Sequence, residues 1–188
     1  MSASTNEPGL AAAVVRHEIE NLIARYCMAC DDRDIVTLMS LFTEDAYFGA
    51  DKGGDATGHK AVYEQYRLRL GAMGPTYHWT HDRLIEPDPS DVNKATGVIL
   101  GHCEVSIAGV GYVGALRYYD QYRRVNGEWK FARRGIKFLY FTQADQMASA
   151  LTKPDRVWRY DKVEQADIPE QMPTWNNWLS IPYPGLNS

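Results

Sequence analysis

Two short stretches of this chain carry the residue types from which acid–base chemistry without a cofactor is built. One is Tyr26-Cys27-Met28-Ala29-Cys30-Asp31 and the other, well downstream, is Tyr77-His78-Trp79-Thr80-His81. A carboxylate and an imidazole brought together in an apolar pocket form a general acid/base unit. The carboxylate fixes the ring tautomer and stabilises the imidazolium that forms when the ring takes a proton. Asp31 and His78 are the candidate pair, with His81 as the alternative base. Asp31 closes a helix, where the helix dipole disfavours a carboxylate, so a compensating partner is expected there. On a strand His78 and His81 point to opposite faces, a poor arrangement for joint chelation. Together with His102 they show no recognisable ligand spacing, and no metal site is expected.

Other candidate motifs read as structure. Cys27 and Cys30 occupy core-facing positions inside a helix, which indicates packing rather than redox chemistry. Gly109-Val110-Gly111 is followed by no helix and is a turn, not a phosphate cradle. Arg133 and Arg134 point to opposite faces of one strand, so one of them can enter a pocket. Phe48, Trp79, Tyr118, Tyr47 and Tyr140 are candidate pocket-lining aromatics, and each could equally serve core or interface packing.

The elements that must position these residues follow from periodicity. Ile19, Leu22, Ile23, Tyr26, Cys27 and Cys30 recur at helical spacing and predict an amphipathic helix over 12–31. A shorter helix is predicted from Ile35 to Phe42, a short strand at Ala46-Tyr47-Phe48, and a loop over the glycine-rich segment 49–58. His59 to Leu70 reads as a third helix, ended by Gly71 and Gly74-Pro75. Four runs rich in β-branched and aromatic residues follow, at 76–87, 94–108, 112–125 and 128–141. Asn126-Gly127 between the last two is a tight-hairpin signal. Helices first and an antiparallel meander afterwards predict an α+β fold, a curved mostly antiparallel sheet wrapped around N-terminal helices. The chain reads as one domain over 1–188, with a core of about 12–142 and a C-terminal extension over 143–188. Gln143 to Leu151 could be helical. From Pro169 onward the extension carries four prolines and the tryptophans Trp175 and Trp178. Its expected place is against the domain, at the pocket mouth or in an oligomer interface.

Composition narrows the function class. The 188 residues carry a formal charge of −4 with basic residues scattered among acids. Nothing resembles the positive stripe that nucleic-acid binding requires, and no apolar run reaches membrane-spanning length. Met1 to Pro8 is small and polar, unlike a secretory signal, and three cysteines do not suggest a disulfide framework. A cytoplasmic protein is expected.

Tyr26-x-x-x-x-Asp31, then Phe42-Thr43-Glu44-Asp45-Ala46, then a meander ending in Asn126-Gly127-Glu128-Trp129-Lys130-Phe131 resembles the SnoaL-like branch of the nuclear transport factor 2-like superfamily. The likeness covers roughly 14–142 and implies a cone-shaped α+β barrel with an apolar pocket at its open end. It is similar to cofactor-free lyases of that superfamily: lindane dehydrochlorinase, scytalone dehydratase, bile acid 7α-dehydratase and the diarylpropane lyase of lignin breakdown. The resemblance implies Asp31 and His78 as the catalytic pair, Tyr26 as a polar pocket group and Arg134 as an aid to the leaving group. It implies a lyase needing no cofactor, acting on a hydrophobic cyclic or aromatic hydroxylated substrate, possible in aromatic-compound catabolism. A homodimer or homotrimer is expected by the same analogy. The chain departs from the small lyases in its longer tail and in lacking a clear counterpart of scytalone dehydratase's second histidine. The superfamily also holds isomerases and non-catalytic binding proteins, which stand as the competing readings.

Overall fold

Helix α1 (Glu7–Asp31) buries the stripe Ile19, Leu22, Ile23, Tyr26, Cys27 and Cys30, the residues that recur every three or four positions. The computed structural model describes residues 7–52, 54–159 and 161–180. A short helix α2 (Ile35–Ser40) follows, with the Asp34 carboxylate accepting from the Thr37 amide at its N-terminus. The chain then enters β1 (Phe42–Gly49) and, after the glycine-rich loop, the two-residue strand β2 (Ala56–Thr57) and helix α3 (His59–Gly71). Four long strands form the meander: β3 (Met73–Pro87), β4 (Lys94–Ile107), β5 (Val110–Val125) and β6 (Glu128–Gln143). The extension holds a four-residue helix α4 (Met147–Ala150) and the strands β7 (Asp155–Arg159) and β8 (Lys162–Gln165).

These eight strands form one curved sheet in the order β2-β1-β6-β5-β4-β3, with β7 joined to the far end of β6 and β8 to β7. The architecture is the mixed α+β one, helices against a largely antiparallel sheet. β1 is the one early strand that runs parallel to its neighbour β6, Phe42 opposite Phe131 and Phe48 opposite Arg134. That long-range pairing pulls Phe42 out of the predicted second helix and starts the strand four residues before Ala46. The third helix ends at Gly71 as expected, and Gly74 and Pro75 beyond it lie within the first residues of β3, where the ladder to β4 is irregular between Met73 and Thr76. Asn126 and Gly127 both take positive φ, 52° and 86°, as a two-residue hairpin turn requires. The predicted helix over 143–151 is a short 3₁₀ turn followed by α4.

Strand register decides which side chains face α1. His78 lies opposite Cys103, Cys103 opposite Gly114, Ile99 opposite Tyr118, and Tyr118 opposite Ile136, so these positions share the inner face. Alternation turns Tyr77 and Trp79 outward, and likewise Tyr47 and Arg133 next to the inward Phe48 and Arg134. An irregularity between Thr80 and Arg83 resets the parity, leaving His81 exposed and Ile85 buried.

Candidate active site

The last turn of α1 and the first part of β3 meet at Asp31 and His78. The His78 ring nitrogen Nδ1 lies 2.6 Å from Asp31 Oδ1, and the His78 backbone N–H donates to Oδ2 at 2.9 Å. An ionised carboxylate only accepts, so Nδ1 carries the proton and Nε2 is left as the basic nitrogen. The Thr76 hydroxyl donates to Asp31 Oδ1 at 2.9 Å. Burial alone would raise the Asp31 carboxyl, but the hydrogen bonds from the His78 ring and backbone and from Thr76 together hold it below its ordinary value. Both side chains are partly open, 15% for Asp31 and 17% for His78. The pair is therefore preorganised yet reachable.

Around it the inner face is aromatic and apolar. Tyr26 meets His78 edge-on with centroids 6.5 Å apart, and Cys103 lies opposite His78 on β4. Leu70, Met73, Ile107, Tyr112, Phe138 and Phe141 are partly buried hydrophobics packed against the core. Tyr112 and Phe141 stack at 5.4 Å, and Trp158 of β7 meets Tyr112 edge-on at 6.5 Å, so the extension touches this apolar end.

The remaining residues singled out from sequence have diverse placements. Arg134 is fully buried, its guanidinium 4.0 Å from the Tyr26 ring and 3.8 Å from the Tyr118 ring, with Asp120 at 3.7 Å. It stands behind Tyr26 and makes no direct contact with the Asp31–His78 pair. Burial pushes the Asp120 carboxyl up to about 6, against the pull of Arg134 and a hydrogen bond from Tyr122. The Tyr26 hydroxyl accepts from Tyr66 at 3.0 Å, and burial raises the Tyr26 phenol well above its usual range, so it stays neutral. Phe48 and Tyr118 are core residues: Phe48 packs on Tyr66 at 4.4 Å, and Tyr118 meets Tyr26 edge-on at 6.2 Å.

Three pocket assignments are corrected by strand parity. Trp79 faces outward, 49% exposed, and packs at a tilt against Tyr77 with ring centroids 4.5 Å apart. Tyr47 faces outward under the Arg133 guanidinium, its hydroxyl donating to Asp51. Tyr140 lies opposite Ala115, on the face away from His78, because the β5–β6 register shifts between Ala115 and Leu116. His81 is likewise on the outer face, its Nε2 2.6 Å from His102 Nδ1. Trp175 and Trp178 are 47% and 60% exposed on the single chain.

Sequence reasoning passed over Thr76 and Arg33. The signal for Thr76 was available, since a period of two places it on the face of His78. Arg33 gave none, because its partners are backbone carbonyls and a residue of another element. Among the described residues no group of three or more His, Cys, Asp and Glu side chains is arranged to hold a metal ion. No helix among them is long and apolar enough to cross a membrane.

Comparison with known proteins adds the following. The family profile for a SnoaL-like domain matches residues 12–135. A hexachlorocyclohexane dehydrochlorinase (LinA type 2) superposes with a TM-score of 0.65 at 22% identity, over 72% of this chain and 92% of that one. A scytalone-dehydratase-like protein from Novosphingobium aromaticivorans gives 0.65 at 20% identity, over 81% and 97%. A Mycobacterium tuberculosis protein of unknown function gives 0.59 at 25% identity, over 68% and 77%. The likeness to the first two is one of fold. Comparison with curated proteins gives no match.

Proposed function

This chain belongs to the SnoaL-like domain family, and we propose that it is a cofactor-independent lyase whose base is His78 held by Asp31. One observation carries the reading: Asp31 binds both the ring and the backbone of His78, which leaves Nε2 as a base on the inner face. In a dehydration, Nε2 takes a proton from a carbon next to the one bearing a hydroxyl. The C–H electron pair becomes the new double bond as the C–O bond breaks. The imidazolium, stabilised by Asp31, then returns its proton to the departing oxygen, so water leaves and the base is restored. Loss of formaldehyde from a hydroxymethyl group begins instead with its hydroxyl proton: the O–H pair becomes the C=O bond, the C–C pair becomes the new double bond, and the hydroxyl on the neighbouring carbon leaves as water with the proton the imidazolium returns. Arg134 behind Tyr26 supplies fixed positive charge to the floor of the site, where negative charge develops on oxygen. The aromatic and apolar surroundings suit a hydrophobic cyclic or aromatic hydroxylated substrate.

The whole described sequence serves this site as one domain, with β7 and β8 extending the sheet. The homo-oligomer expected of such a protein uses the outer sheet face, a reading supported by the exposure of Tyr77, Trp79 and Leu100 there. Incubation with vicinal and benzylic aromatic diols tests the activity. A conjugated absorbance with loss of the mass of water, or of water and formaldehyde together, supports the lyase. A shifted absorbance at unchanged mass makes the same base an isomerase, and saturable binding without product makes the chain a binding module.

A further inference from the structure

Asp31 has one hydrogen-bond donor beyond the two that His78 supplies, the Thr76 hydroxyl, and that hydroxyl is itself held by a single arginine. Arg33 follows the end of α1 with φ of 61°, a left-handed conformation unusual for a side chain with a Cβ. Its guanidinium Nη1 donates to the Cys30 carbonyl at 2.7 Å and to Thr76 Oγ1 at 2.8 Å, and Nη2 donates to the Gly74 carbonyl at 2.5 Å. One fork thus ties the last turn of α1 to the first residues of β3. Those are the two segments that carry Asp31 and His78.

The proton count sharpens this. A threonine hydroxyl has one proton and acceptor lone pairs, while an arginine only donates. Because Arg33 occupies an acceptor lobe of Thr76 Oγ1, the hydroxyl proton is free to point at Asp31 Oδ1, 2.9 Å away. Asp31 Oδ1 then receives Thr76 and the His78 ring, and Oδ2 receives the His78 backbone N–H. Rotation of the carboxylate would break all three bonds at once. Neither Arg33 nor Thr76 need touch a substrate to matter.

Resting on the reading of Asp31 and His78 as the acid–base pair, we propose that Thr76 and Arg33 are positioning residues for it. Arg33 orients the Thr76 hydroxyl, and Thr76 locks the carboxylate that sets the His78 tautomer. A lysine at position 33 keeps the charge but cannot make the fork.

The test needs no substrate in its first arm. In the full chain with ¹⁵N-labelled histidine, two-bond nitrogen–proton correlation reads the His78 tautomer, and the exchange rate of its Nδ1–H reads the hold of Asp31. Wild type and Thr76→Ser should show the Nδ1–H tautomer with similar exchange. Thr76→Val, nearly the same shape without the hydroxyl, should exchange roughly tenfold faster, the equivalent of one lost hydrogen bond to a charged group. Arg33→Lys should move the same way. Thr76→Val with wild-type tautomer and exchange, or Thr76→Ser behaving like Thr76→Val, overturns the proposal. The second arm uses whichever diol the wild type turns over. Thr76→Val should lower kcat by roughly tenfold or more with KM within about twofold, and Thr76→Ser should restore kcat. If the first arm holds while wild type converts no diol, the positioning stands and the lyase reading is what fails.

Discussion

Asp31 and His78 are held together by one carboxylate that binds both the ring and the backbone of the same residue. Their pairing was expected in the sequence from the order of elements, a helix ending at Asp31 and a strand opening with His78, together with the family resemblance. The parity that excludes Trp79 was legible too, since an inward His78 forces its neighbour outward. Arg134 was not, because a strand position says which face a side chain takes and not how deep it lies. In the structure it is a fully buried cation among Tyr26, Tyr118 and Phe131, with Asp120 as its acidic partner. Arg134→Met should therefore destabilise the fold by about 3–5 kcal/mol in urea unfolding, because it strands a buried carboxylate. Adding Asp120→Asn should recover part of that loss, a coupling that a double-mutant cycle measures directly.

At the scale of elements, local signals held where structure is local. The stripe of α1 and the Asn126-Gly127 turn were readable, whereas the parallel pairing of β1 with β6 joins segments about ninety residues apart and leaves no periodic trace. The same holds for β7 and β8, short strands whose edge pairing comes from tertiary contact. The turn allows a prediction. A side chain at Gly127, whose φ is 86°, meets no neighbour within 4 Å, so the cost of Gly127→Ala is conformational alone. It should lower stability by roughly 1–2 kcal/mol without changing any activity. The extension offers another. Asp167 is buried and accepts from the Phe138 amide at 2.8 Å and from Arg159 at 2.5 Å, with Lys52 at 2.5 Å. Asp167→Ala should cost about 3 kcal/mol and loosen β7 and β8 first, seen as faster amide exchange there than in β4.

For the whole molecule, charge couples the site to stability. The folded state holds the Asp31 carboxyl below its ordinary value, so the unfolded chain binds that proton more readily. The stabilisation is present above about pH 4, the usual aspartate range, and is lost as pH falls through the lower folded value. Asp31→Asn should therefore flatten the acid side of the stability curve, and an unchanged slope would speak against a charged Asp31. The outer sheet face carries the other prediction at this scale. If copies associate through Tyr77 and Trp79, Trp79→Glu should reduce the sedimenting mass towards a monomer while the Asp31–His78 geometry persists.

The central claim is that Asp31 makes His78 a base, and turnover of one diol by chelator-treated wild type and Asp31→Asn tests it most directly. The account predicts a loss of roughly 100-fold or more in kcat for the variant, with KM little changed and the folded state intact. Turnover by Asp31→Asn at the wild-type rate would contradict it.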